Sequence, residues 1–205
     1  MASQVWNVPN VLSMLRLVLS AALFVMIALG PQFMIAALVL FCITALTDFV
    51  DGWWARKFNQ CTQLGRILDP FADKILICGT VIFLAARPEM QADWKLFQPW
   101  MAVVIMGREM LVTAIRGYME QHGVNFAAKW SGKIKMGFQC LACAAGCLYL
   151  SYASADPASS ADPVTVNAPA WLYWLLVVSI WVTILSTLQS GLGYVLCAVR
   201  IRKDS

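Results

Sequence analysis

Residues 33–73 read FMIAALVLFCITALTDFVDGWWARKFNQCTQLGRILDPFAD. An uncharged run over 33–47 is followed by Asp48 and Asp51, then by the short polar stretch Lys57 to Leu64, and a second segment opens with Asp69 and Asp73. At about 100° per residue, Asp48, Asp51, Gly52, Ala55 and Arg56 fall within an arc of roughly 140° on one helix. Gly65, Asp69 and Asp73 form an i, i+4, i+8 stripe on the next. The polar stretch lets the two helices run antiparallel with these faces opposed. The expectation is a helical hairpin that brings four carboxylates to one small volume at its charged end.

The rest of the chain says what solvent surrounds that hairpin. Of 205 residues, 60% are hydrophobic and only 13% charged. A soluble domain of this length could not hide so much apolar surface, so lipid must cover much of it. The apolar residues gather into blocks near 11–29, 33–56, 67–87, 98–118, 133–152 and 170–198, each near the roughly 20 residues a bilayer-spanning helix needs. The expected fold is an all-α integral membrane protein, a six-transmembrane-helix bundle forming one domain over 1–205. The first segment carries no Lys or Arg, so the first block reads as a retained helix rather than a cleaved signal.

Orientation follows from the basic residues. Arg56, Lys57 and Arg66, then Lys129, Lys133 and Lys135, then Arg200, Arg202 and Lys203 all fall on one side of a six-span bundle. The other side holds Arg87 and Lys95 against Glu89, Asp93, Asp156 and Asp162. The positive-inside rule makes the basic side cytoplasmic, with both termini and the aspartates there. A net charge of +4 gives nucleic-acid binding little support and suits anionic lipid or phosphate better. Cys140, Cys143 and Cys147 invite a zinc reading, but the chain has one His, His122, and no second Cys pair, so they read as small packing residues. Ser151 to Ala168 reads as a flexible loop on the far side.

Ionisable residues at membrane depth are costly and by default mark function. Of eleven acidic residues, four lie within 26 positions, at the helix ends just described. Like charges that close need compensation. Hard divalent cations with oxygen ligands, Mg²⁺ or Mn²⁺, supply it most simply. A pair of such ions is a common device for stabilising attacking and leaving oxygens in phosphoryl displacement. Gly52, Ala55 and Gly65 leave room on the same faces for a ligand to approach the backbone, and Arg56 offers a fork for phosphate oxygens. Taken singly, Asp69 before Pro70 fits a helix N-cap, either glycine fits helix packing, and Arg56 fits a snorkelling anchor. The joint spacing favours a site.

That spacing, D-x2-D-G-x2-A-R-x8-G-x3-D-x3-D, matches the signature of the CDP-alcohol phosphatidyltransferase family without departure. The resemblance implies six transmembrane helices and two metal ions held by Asp48, Asp51, Asp69 and Asp73, with Asp73 also the general base. It implies that Gly52, Ala55 and Gly65 shape a cytidine site, that Arg56 contacts the diphosphate of CDP-diacylglycerol, and that the enzyme is a homodimer of the cell inner membrane.

The blocks Asn7 to Arg16, Gly107-Arg108-Glu109 through Arg116, and Ser131-Gly132-Lys133-Ile-Lys135 resemble the bacterial phosphatidylglycerophosphate synthase branch, so this resemblance covers residues 7 to about 140. It implies glycerol 3-phosphate as acceptor. The residues agree, since Arg108 and Arg116 on one helix and Lys133 and Lys135 on the next would border a pocket for a phosphate-bearing polyol. Glu109 either braces an arginine there or neutralises one. Met136 stands where that branch commonly has Thr. The alternatives are a CDP-dependent cardiolipin synthase, a phosphatidylinositol-phosphate synthase and, from another class, an ion or proton transporter.

Overall fold

The computed structural model describes residues 8–57, 63–121, 130–153 and 166–204. Apolar runs of this length satisfy their own backbone as helices, and helices are what form: α1 (Val8–Leu29), α2 (Met34–Lys57), α3 (Gln63–Ala85), the short α4 (Pro88–Gln91), α5 (Pro99–Gln121), α6 (Trp130–Leu150) and α7 (Ala170–Asp204). Among the described residues the sole β pairing is an isolated bridge between Ala153 and Val166. The reading of 151–168 as a flexible loop falls mostly on residues outside those described, while its described ends are tied by that bridge and by Asn167 N–H donating to the Tyr152 carbonyl.

Between α1 and α2 the chain reverses at Gly30, whose φ of 124° is open to glycine and strained for other residues. Pro31 then starts a single 3₁₀ turn that leads into α2. The main packing pairs trace a closed ring, α2–α1–α3–α5–α7–α6 and back to α2, with α3 and α6 also touching. Thus α1 packs on both helices that carry the aspartates. The α1–α3 contact is close because Gly79 has no side chain: a Cβ there would collide with the Phe24 ring. Phe24 also stacks on Phe83, with centroids 5.0 Å apart.

Leu23, Ile27, Phe41, Leu76, Leu84, Met101, Ile105, Leu150, Leu176 and Ile180 are among the side chains filling the ring. Cys143 and Cys147 belong to that apolar core, as packing residues do. Buried hydroxyls satisfy themselves on the preceding turn, as Ser20 does on the Arg16 carbonyl, Thr44 on Leu40 and Thr80 on Leu76. The outward faces are apolar as well, with Val18, Leu46, Val103, Leu185 and Leu192 all at least 63% exposed. Water-soluble monomers rarely present such continuous apolar faces, and lipid suits them. Asn10–Leu29 and Ala170–Leu192 are long and apolar enough to cross a membrane, and Pro31–Thr47 and Lys135–Leu150 are shorter apolar stretches. α3 and α5 are diluted by ionisable residues, among them Asp69, Asp73, Lys74, Arg108, Glu109 and Arg116.

Candidate active site

Asp48, Asp51, Gly52, Ala55 and Arg56 occupy the last three turns of α2, and Gly65, Asp69 and Asp73 the first half of α3. The backbone is helical through both stretches, so the angular relations within each helix hold as the sequence implies. One alternative does not survive. α3 begins at Gln63, which leaves Asp69 well inside the helix and Pro70 internal, so Asp69 is not the N-cap. Pro70 has no N–H for the Arg66 carbonyl, which removes one rung from the turn between Gly65 and Asp73. Asp73 is half-buried. The side chains of Asp48, Asp51 and Asp69 lie outside those described, and among the described residues no three His, Cys, Asp or Glu gather as a metal site. The backbone puts the four aspartates on α2 and α3, and their donors are carboxylate oxygens, which suit a hard divalent cation.

α1 adds a feature that the sequence reading passed over. Asn10, Ser13, Arg16 and Ser20 are all at most 2% exposed, and at 3.6 residues per turn they share one face with Leu23 and Ile27. The buried face of α1 is thus polar over its first half and apolar over its second. Phe24 lies against Gly79 and Phe83, and Arg87 Nη1 donates to the Ala28 carbonyl at 3.5 Å, so α1 and α3 run parallel in register. Two turns back along both helices, Arg16 comes level with the turn that carries Asp73. An arginine inside an apolar run was the available signal for it; which side of α1 it faced was not.

A second cluster is fully described. Glu109 Oε1 accepts from Arg108 Nη1 at 3.0 Å and from the Lys135 ammonium, so two cations meet on one carboxylate oxygen. Arg108 Nη2 also donates to Ser190 Oγ on α7, and its alkyl chain lies over Gly191. One turn along α5, Thr113 donates to the Glu109 carbonyl at 2.8 Å and receives a hydrogen bond from Lys74, the neighbour of Asp73. The cluster therefore ties α5, α6 and α7 to α3, the helix that carries Asp73. Of the four cations assigned to an acceptor pocket, the structure brings Arg108 and Lys135 together. Arg116 stands two turns further along α5, exposed, and Lys133 lies on α6 with its side chain outside those described. The alternatives for Glu109 merge, since it braces the arginine and neutralises part of the charge. Ser190 and Thr113 carried no sequence signal, because isolated hydroxyls are common in apolar helices.

The sequence profile of the CDP-alcohol phosphatidyltransferase family matches residues 6–189. The match reaches well beyond residue 140 and takes in most of α7. The chain is 35% identical over 143 residues to the CDP-diacylglycerol–glycerol-3-phosphate 3-phosphatidyltransferase of Salmonella choleraesuis (strain SC-B67), covering 68% of this chain and 75% of that protein. It is 34% identical over 154 residues to the protein of the same name from Bacillus subtilis (strain 168), covering 68% and 76%. The corresponding Escherichia coli (strain K12) protein is 34% identical over 143 residues, covering 68% and 75%. With a match over most of its length, the aspartate motif, Arg108, Glu109 and Lys135 included, the chain belongs to the CDP-alcohol phosphatidyltransferase family.

Proposed function

We propose that this protein transfers the phosphatidyl group of CDP-diacylglycerol to glycerol 3-phosphate, giving phosphatidylglycerophosphate and CMP. The observation that carries the reading is the conjunction of the motif, complete from Asp48 to Asp73, with relatives that bear the name of this activity. The cation-rich cluster on α5 and α6 supports an acceptor that carries a phosphate.

In this mechanism Asp73 takes the proton from the acceptor hydroxyl. The freed oxygen attacks the phosphorus bonded to diacylglycerol, and CMP departs with the electron pair of the broken P–O bond. No covalent enzyme intermediate is needed. Asp48, Asp51, Asp69 and Asp73 would hold two Mg²⁺ or Mn²⁺ ions, whose chemistry is to neutralise charge on the attacking and leaving oxygens. Gly52, Ala55 and Gly65 leave space for the cytidine, Arg56 meets the diphosphate, and Arg108, Arg116, Lys133 and Lys135 border the acceptor phosphate. The chain crosses the cell inner membrane six times as a homodimer, with the site and both termini cytoplasmic. Lateral access from the bilayer would deliver the CDP-lipid, while glycerol 3-phosphate arrives from water.

The test supplies the purified full chain in lipid nanodiscs with CDP-diacylglycerol and, separately, labelled glycerol 3-phosphate, inositol phosphate or phosphatidylglycerol. Label is expected in lipid with glycerol 3-phosphate alone, with one CMP released per transfer. Transfer to phosphatidylglycerol instead would make the protein a cardiolipin synthase. Turnover that persists in excess EDTA would reject the two-ion site.

A further inference from the structure

The acceptor's phosphate monoester takes no part in the bond exchange. It enters on glycerol 3-phosphate and leaves unchanged on the product. Any cation that grips it therefore holds acceptor and product equally, and such uniform binding lowers KM without accelerating the chemical step. An enzyme with several cations fixed around this group would release its product slowly. The Glu109 cluster bears on that difficulty.

Lys135 and Arg108 meet on a single oxygen of Glu109. The side chains of the three are 3%, 12% and 19% exposed, respectively, so all three charges are largely buried. The trio keeps one surplus positive charge. Its members come from α5 and α6, and Ser190 of α7 holds Arg108 from the far side. A pure strut between helices would need one cation per carboxylate. Two largely buried cations from different helices sharing one carboxylate oxygen is the arrangement of a site whose own anion occupies it.

We infer that Glu109 is an internal stand-in for the acceptor phosphate. Its carboxylate holds the Lys135 ammonium and the Arg108 guanidinium until a phosphate monoester displaces it, and it takes them back as the product leaves. The inference rests on the proposed acceptor pocket and makes Glu109 a positioning residue that acts through Lys135 and Arg108. A phosphate monoester, near two negative charges at neutral pH, outcompetes a single carboxylate for these cations. An acceptor without the phosphate has nothing to exchange.

Inorganic phosphate is the probe, titrated calorimetrically into the full chain in nanodiscs, where no turnover is needed. In Glu109→Gln the competing charge is gone, and phosphate is expected to bind about tenfold more tightly, the worth of one charge-assisted contact. In steady state, KM for glycerol 3-phosphate and kcat should then fall together, with a burst of CMP in the first turnover because product release has become limiting. Phosphate binding that is unchanged or weaker in a folded Glu109→Gln protein overturns the inference and leaves Glu109 a brace. Should that variant fail to fold, the Glu109→Gln/Lys135→Gln pair is compared with Lys135→Gln alone, and phosphate is expected to bind the pair about tenfold more tightly because Arg108 has lost its competitor. Equal affinity in those two proteins overturns the inference equally. Failure of the wild-type enzyme to consume glycerol 3-phosphate would be seen separately, in the acceptor assay.

Discussion

The two ends of α3 both carry buried charge, and they handle it differently. Beyond Ala85, Arg87 pairs with Glu89 two residues away, through Nη2 at 2.6 Å and Nε at 3.1 Å. Gln91 caps the Ala85 carbonyl, Gln98 reaches the carbonyls of Met90 and Asp93, and Asp93 accepts the Lys95 N–H. The ion pair is neutral, and most partners are sequence neighbours. At the Asp73 end, Lys74, Arg108, Glu109, Thr113, Lys135 and Ser190 are drawn from four helices, and two cations share one carboxylate oxygen. Charge balanced within a few residues staples a loop. Charge gathered from distant helices onto one carboxylate stands where the proposed acceptor pocket needs it.

The largest expected effect separates the ends by activity. Asp73→Asn should cost roughly 10²- to 10⁴-fold in turnover, the usual worth of a general base, while leaving CDP-lipid binding and the melting temperature near wild type. CMP release and a thermal melt read the two quantities. Retained turnover would remove Asp73 as base. The opposite pattern is expected at the other end. Glu89 has a side chain 4% exposed and Arg87 one 17% exposed, so Glu89→Gln strands a charge that water reaches only in part. Breaking a buried pair from one side costs about 3–5 kcal/mol, and partial exposure of Arg87 lowers this to about 2–3 kcal/mol. kcat/KM should stay within about twofold of wild type, since no group of the site is touched. A loss of activity without a loss of stability would undo the division between staple and site.

Much of this contrast could be read in advance, and the reason it could not all be read is physical. Each of the six apolar blocks corresponds to a long helix, with ends displaced by a few residues, as where 67–87 becomes Gln63–Ala85 and 170–198 becomes Ala170–Asp204. Hydropathy records which residues lipid will accept, and capping decides where a helix stops. α4 was missed because four residues are too few to show a period. The aspartate motif was legible because its spacing is local to two helices. Glu109 stayed undecided because Lys135 stands 26 positions away, and only the packing of the ring brings them together. Arg16 could be seen as an ionisable group in an apolar run, but its burial depends on α1 lying against both α2 and α3.

The smallest expected effect tests whether the two ends communicate. Tyr173 begins α7 and donates its hydroxyl to Asp93 Oδ2 at 2.5 Å, while Ser190 on the same helix holds Arg108. Seventeen residues of helix separate them, roughly 25 Å at 1.5 Å per residue. Tyr173→Phe removes a hydrogen bond to a carboxylate, ordinarily about 1.5–3 kcal/mol. Asp93 is only partly buried and keeps the Lys95 N–H, so the loss should be about 1 kcal/mol, below that of Glu89→Gln. If α7 is merely anchored at this end, KM for glycerol 3-phosphate is unchanged. If that KM shifts while the melting temperature barely moves, the Tyr173 contact is setting the position of Ser190, and the loop beyond α3 belongs to the acceptor site after all.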